Sequence, residues 1–85
     1  MKTFIKEEEN EGLEKLLGKR ITLFCCRYIY TGDLVGVSDT CVKLSNAGIV
    51  FETGAFDKDE WEDMQPLPND TYIQTSSIES FTILK

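Results

Sequence analysis

A chain of 85 residues with a formal charge of −6 and no histidine supports one small domain at most, and its composition closes off several chemistries at once. Domains this short bury only roughly 60% of the surface their unfolded chain exposes, so extra stability has to come from a disulfide, a metal or self-association. Nucleophilic catalysis by a Ser/His or Cys/His pair is excluded, no phosphate-cradling glycine-rich motif occurs, and without histidine or a Cys-x-x-Cys pair a structural metal site is not expected.

The three cysteines are an odd number, and Cys25 and Cys26 are adjacent, so on a strand their side chains face opposite ways. Free thiols are therefore expected, with no cofactor, no metal and no enzymatic activity. No apolar run approaches the ~20 residues of a bilayer span. The opening "MKTFIKEEENEG" has too short an apolar stretch for a secretory signal. These features lead us to expect a cytoplasmic protein without membrane association. Self-association is left as the source of added stability.

The acids are unevenly spread. Glu7, Glu8, Glu9, Glu11 and Glu14 lie near the start, and Asp57, Asp59, Glu60, Glu62 and Asp63 form a second cluster. Between the clusters, Lys15, Lys19, Arg20, Arg27 and Lys43 face only Asp33, Asp39 and Glu52. Net charge argues against non-specific attraction of nucleic acid, yet the body of the chain is mildly basic.

In chain order, Leu13, Leu16 and Leu17 recur at helical spacing behind a run of acids, with Lys15 late and Gly18 as a stop, which predicts an N-terminal helix over 1–18. Strands are predicted over Arg20 to Ile29, Gly32 to Ser38, Cys41 to Thr53, from Thr71 and from Ile78. In the third, Asn46-Ala47-Gly48 marks a bend, a bulge or a tight hairpin. Pro66, Pro68 and the second acid cluster make 54–70 a long exposed loop, with Trp61, Met64 and Leu67 pinning it to the body.

Barrel strands thus occupy 19–53 and 71–85 of a single domain, 1–85. The fold class expected is mainly β: an N-terminal helix followed by a small, strongly bent five-stranded antiparallel barrel. Its core is Ile21, Leu23, Leu34, Val37, Leu44, Ile73, Ile78, Phe81 and Ile83. The run "ITLFCCRYIY" is apolar on both faces, and a domain of this size has a single core. The second face therefore needs a cover, which the helix supplies in part and a neighbouring copy in part.

"LLGKRITLFCCRYIYTGDLVGVSDTCVKLSNA" resembles the first signature of Sm-like (LSm) proteins, through Leu17, Gly18, Ile21, Leu23, Tyr30, Gly32, Leu34, Gly36, Asp39, Leu44 and Ala47. "YIQTSSIESFTI" is similar in shape to the second signature, with Ile73, Gln74 and Thr75 at its three leading positions. The resemblance implies a helix before a bent barrel. It also implies a closed homo-oligomeric ring of about five to seven copies joined edge to edge through the last two strands, and single-stranded RNA or DNA as ligand. Phe24, Tyr28, Tyr72, Ile73, Phe81 and Ile83 are the expected subunit interface.

The departures concern the ligand. Asp39 is kept, but Thr40, Cys41 and Val42 supply neither the aromatic nor the Asn with which the family holds a base, and Gln74 and Thr75 replace an Arg-Gly pair. Asp39 is equally at home as a turn residue holding its own backbone. Binding would then rest on Lys19, Arg20, Arg27 and Lys43 for phosphates, with Asp39, Thr40, Gln74, Thr75, Ser76 and Ser77 lining the pore. Two functions follow: a non-enzymatic ring that binds single-stranded nucleic acid in RNA or DNA processing, or a structural, protein-binding ring whose contact surface is the acidic loop and Trp61.

Overall fold

A computed structural model describes residues 12–85. Six strands make one antiparallel sheet: β1 (Arg20–Cys25), β2 (Ile29–Val37), β3 (Cys41–Glu52), β4 (Asp63–Pro66), β5 (Thr71–Gln74) and β6 (Ile78–Ile83). Their order is β4-β3-β2-β1-β6, with β5 also on β3. The long β3 has β2 along one side. On the other, Cys41–Leu44 ladder with β5 and Gly48–Glu52 with β4. Among the described residues no helix is long and apolar enough to cross a membrane.

The sheet corrects the expected fold in four respects. First, the part of the expected N-terminal helix within the described residues is a short 3-10 turn, Leu13–Leu16; residues 1–11 lie outside them. Gly12 and Gly18, at φ 89° and 88°, bracket that turn. Gly18 N–H then donates to the Leu34 carbonyl at 2.7 Å, and Leu34 N–H to that of Lys19 at 3.0 Å. Strand pairing thus claims the chain before the costly first turns of an α-helix can be followed by stabilising ones. Leu13 and Leu16 still pack against the core.

Second, the sheet is open rather than a closed barrel. A 3-10 turn, Thr75–Ser77, swings the chain from β3's side to β1's, so β6 ladders with β1 and, among the described residues, the outer edges of β5 and β6 stay unpaired. Third, the described residues form six strands, because Asp63–Pro66, expected within a loop, forms β4. Pro66 is tolerated there because β4 is an edge strand. Fourth, the apolar run Ile21–Tyr30 is strand, turn and strand: Cys25 N–H donates to the Tyr28 carbonyl at 3.1 Å and closes a hairpin.

β3 stays one strand, and Asn46 is its bulge. At φ 50°, Asn46 takes a left-handed conformation that its residue type tolerates, and the β2–β3 register shifts opposite it, between Thr31 and Asp33. The bend brings β3 so close to β2 that a Cβ on Gly32 would lie 3.0 Å from Leu44 Cβ and 3.2 Å from Ala47 Cα.

Ile21, Leu23, Leu34, Val42, Leu44, Ala47 and Ile73 form the buried core. Of the expected core, Val37 and Ile78 are only partly buried, while Phe81 and Ile83 on β6 are 39% and 58% exposed, because β6 has a neighbour on one side only. The second face of β1 is covered in part within the chain, with Phe24 left half-buried. Thr22 is fully buried and donates to the Leu84 carbonyl at 2.9 Å. Phe24 meets Phe56 of the β3–β4 loop edge to face, with ring centres 6.4 Å apart.

Candidate functional site

Three turns converge at the end of the sheet where β3 begins. The β2–β3 turn is built by Ser38, whose hydroxyl accepts from Cys41 N–H at 3.2 Å, so the backbone-holding role open to Asp39 falls to its neighbour. The β5–β6 connection is tied to it: Thr75 N–H donates to the Thr40 carbonyl at 2.9 Å and Thr75 Oγ1 to that of Asp39 at 3.2 Å. The β1–β2 turn joins through Cys26 N–H, which donates to the Ser77 carbonyl at 3.2 Å. Backbone groups and two hydroxyls, of Ser38 and Thr75, do the fastening. Asp39, Thr40, Gln74 and Ser76 are left exposed.

Beside these turns lies an open cleft of about 720 Å³ lined by Asp39, Thr40, Cys41, Tyr72, Gln74, Thr75 and Ser76. A second, of about 300 Å³, is lined by Cys25, Cys26, Arg27, Tyr28, Tyr30, Tyr72, Ile73, Gln74 and Ser77. Tyr72 and Gln74 border both. Tyr72 is 64% exposed because β5 alternates and Ile73, next to it, points into the core. It pairs with Lys43 across the β3–β5 ladder, whose Nζ stands 5.6 Å from the ring centre and 3.6 Å from Asp70 Oδ2. The Tyr72 hydroxyl first, then Asp70, pushes the Lys43 pKa up.

One thiol and one phenol at the smaller cleft are pushed towards their neutral forms. Burial first, then Cys26 and Glu79, raises the Cys25 pKa, so this thiol is a weak nucleophile at neutral pH. Burial also raises that of Tyr30, with Cys25 and Tyr28 adding to it. No set of three His, Cys, Asp or Glu side chains among the described residues is arranged to hold a metal. What the cleft offers is hydrogen-bonding groups, an aromatic face and nearby cations.

The expected ligand-binding residues divide. Asp39, Thr40, Gln74, Thr75 and Ser76 share the larger cleft, Arg27 and Ser77 border the smaller one, and Lys43 adjoins Tyr72. Lys19 and Arg20 lie at the opposite end of β1 from Cys25. Lys19 is exposed. Arg20 is occupied: Nη1 donates to the Asn46 carbonyl at 2.9 Å and lies 3.5 Å from Asp33, and Nε donates to the Lys85 carbonyl at 3.1 Å.

Of the expected interface, Tyr28, Tyr72, Phe81 and Ile83 are exposed, Ile73 is in the chain's own core and Phe24 is packed under Phe56. The role of Tyr72 as a cleft wall was readable from alternation next to Ile73. Its pairing with Lys43 needed the register of two distant strands. Comparison with protein-family models, curated proteins and solved structures finds no match for this chain.

Proposed function

We propose that this chain is a non-enzymatic, self-assembling module that holds single-stranded nucleic acid in the cleft at the start of β3. The observation that carries the reading is Tyr72, an exposed aromatic face beside Lys43 and flanked by exposed hydrogen-bonding side chains. A base needs a surface to stack on and partners at its edge. Tyr72 supplies the first; Thr40, Gln74 and Ser76 supply the second. Arg27 and Lys43 take phosphates. The acidic β3–β4 loop leaves from the other end of β3, which keeps its charge from the cleft.

Assembly follows from the edges of β5 and β6, unpaired among the described residues, and the exposed Phe81 and Ile83. Pairing β5 of one copy with β6 of the next is a head-to-tail contact, which closes into a ring when the rotation per copy divides the circle. The resemblance to Sm-like proteins, through Gly32-x-Leu34 and Asp39, supports the same arrangement.

Light scattering and fluorescence anisotropy with a short mixed single-stranded RNA test both parts. The expected result is a closed homo-oligomer that binds at low salt. An intact oligomer that binds neither RNA nor single-stranded DNA at low salt contradicts the nucleic-acid part and favours a protein-binding ring.

A further inference from the structure

The two outermost strands of the open sheet, β4 and β6, share no ladder, yet one side chain connects their ends. Lys85, just beyond β6, sends its ammonium into the β3–β4 loop. There Nζ donates to the carbonyls of Thr53 at 3.3 Å, Ala55 at 3.0 Å and Glu60 at 3.0 Å. An ammonium has three donors, and all three end on one loop. The Trp61 ring centre lies 4.3 Å from the same nitrogen, so an indole face supplies the remaining side.

The root of this lysine is fixed as firmly as its tip. Arg20 Nε donates to the Lys85 carbonyl at 3.1 Å, with Thr31 Oγ1 3.4 Å from it, and Thr22 Oγ1 donates to the carbonyl of Leu84 at 2.9 Å. Thr22 and Thr31 are fully buried. Lys85 takes φ 36°, a disfavoured conformation for a residue with a β-carbon, held by these anchors. Trp61 Nε1 is buried without a partner among the described residues, so the indole is placed for its face at the expense of its N–H.

We propose that residues 53–62 form a receptor for a primary ammonium group, that Lys85 is its built-in ligand, and that their union is the clasp holding the two edges of the open sheet together. The chemistry is specific. Three convergent carbonyls match the three donors of R–NH₃⁺, and a quaternary ammonium of the same charge has none to give. The surrounding carboxylates of Asp59, Glu60, Glu62 and Asp63 favour a cation, but all three bonds go to main-chain carbonyls. With the clasp open, the loop and its Phe56 leave Phe24.

The test is chemical rescue, read by the chain's only tryptophan. In full-length protein, Lys85→Ala and Lys85→Met should each red-shift Trp61 emission. Each should also speed amide exchange in 53–62 by about tenfold or more, with exchange in β1 and β2 little changed. n-Propylammonium, which replaces the side chain lost in Lys85→Ala, should reverse both changes; tetramethylammonium and sodium at equal concentration should not. In the unmutated protein, nitrogen-15 NMR should show slowly exchanging Lys85 ammonium protons shifted upfield by the indole. The proposal is overturned if Lys85→Met changes neither readout, or if n-propylammonium rescues no better than tetramethylammonium. Should the variants fail to fold, fast-exchanging, unshifted ammonium protons in the unmutated protein overturn it equally.

Discussion

The two ends of β3 are organised in opposite ways. Where β3 begins, main-chain bonds and the hydroxyls of Ser38 and Thr75 fasten the turns together, and the polar side chains around them face solvent. Where it ends, side chains do the fastening: Arg20 and Lys85 are engaged with carbonyls, and Trp61 lies against Lys85. One end presents its chemistry and the other consumes it. A cation's place in the chain therefore says little about its availability. Arg20 is tied into the structure, whereas Lys43 has an exposed pairing with Asp70, which solvent screens, and the open face of Tyr72.

Substitutions can separate the shared scaffold from each end. The largest effect is expected for Leu23→Ala, which empties a fully buried site. It should lower stability by about 3 kcal/mol in denaturant unfolding, and Trp61 and the cleft should lose structure in one transition. Gly32→Ala comes next. The neighbours of the new methyl include backbone at Ala47, which yields less than a side-chain tip, so overpacking of about 1–3 kcal/mol is expected.

Tyr72→Ala should do the reverse. Stability should move by less than about 0.5 kcal/mol, while affinity for single-stranded RNA falls by about tenfold, within the range for one lost stacking partner. Smaller still is the salt effect. Lys43→Gln should flatten the log–log salt dependence of binding by about 0.7, the share of one neutralised phosphate, whereas Lys19→Gln, far from the cleft, should leave it unchanged.

The pH dependence should be nearly flat. The Lys43 pKa is raised above the ordinary 10.5, so whatever this group contributes is complete below that value and disappears only as pH rises through the raised one. Affinity measured from about pH 6 to about pH 9 should not reflect its titration.

Much of the scaffold was legible because alternation is a local signal. Ile21, Leu23, Leu34, Leu44 and Ile73 are core residues that period-2 patterning finds, and Asn46-Ala47-Gly48 marked a bend, a bulge or a hairpin, of which the bulge is found. The Cys26–Tyr28 turn was hidden because it contains no Gly, Pro, Asn or Asp, and part of its fastening comes from the distant Ser77. The helix expectation weighed the leucine spacing and missed the competing pull of Leu34 on Gly18. β4 is short and lacks alternation, so only its ladder with β3 identifies it.

At the site, Asp39, Thr40, Gln74, Thr75 and Ser76 were identified as turn residues and do come together. The division among the cations was not legible. Arg20 and Arg27 look alike in sequence, and only the fold shows that one meets Asn46 and Lys85 and the other borders a cleft. The loop's anchor was hidden for a similar reason, since Lys85 is separated from its three carbonyl partners by 25 to 32 residues.

The most direct test of the contrast between the ends is a hydrogen-exchange footprint of the assembled protein with and without a short single-stranded RNA at low salt. The account predicts new protection within 38–43 and 72–77, with 53–63 unchanged. Protection confined to 53–63, or none at saturating RNA, would contradict it.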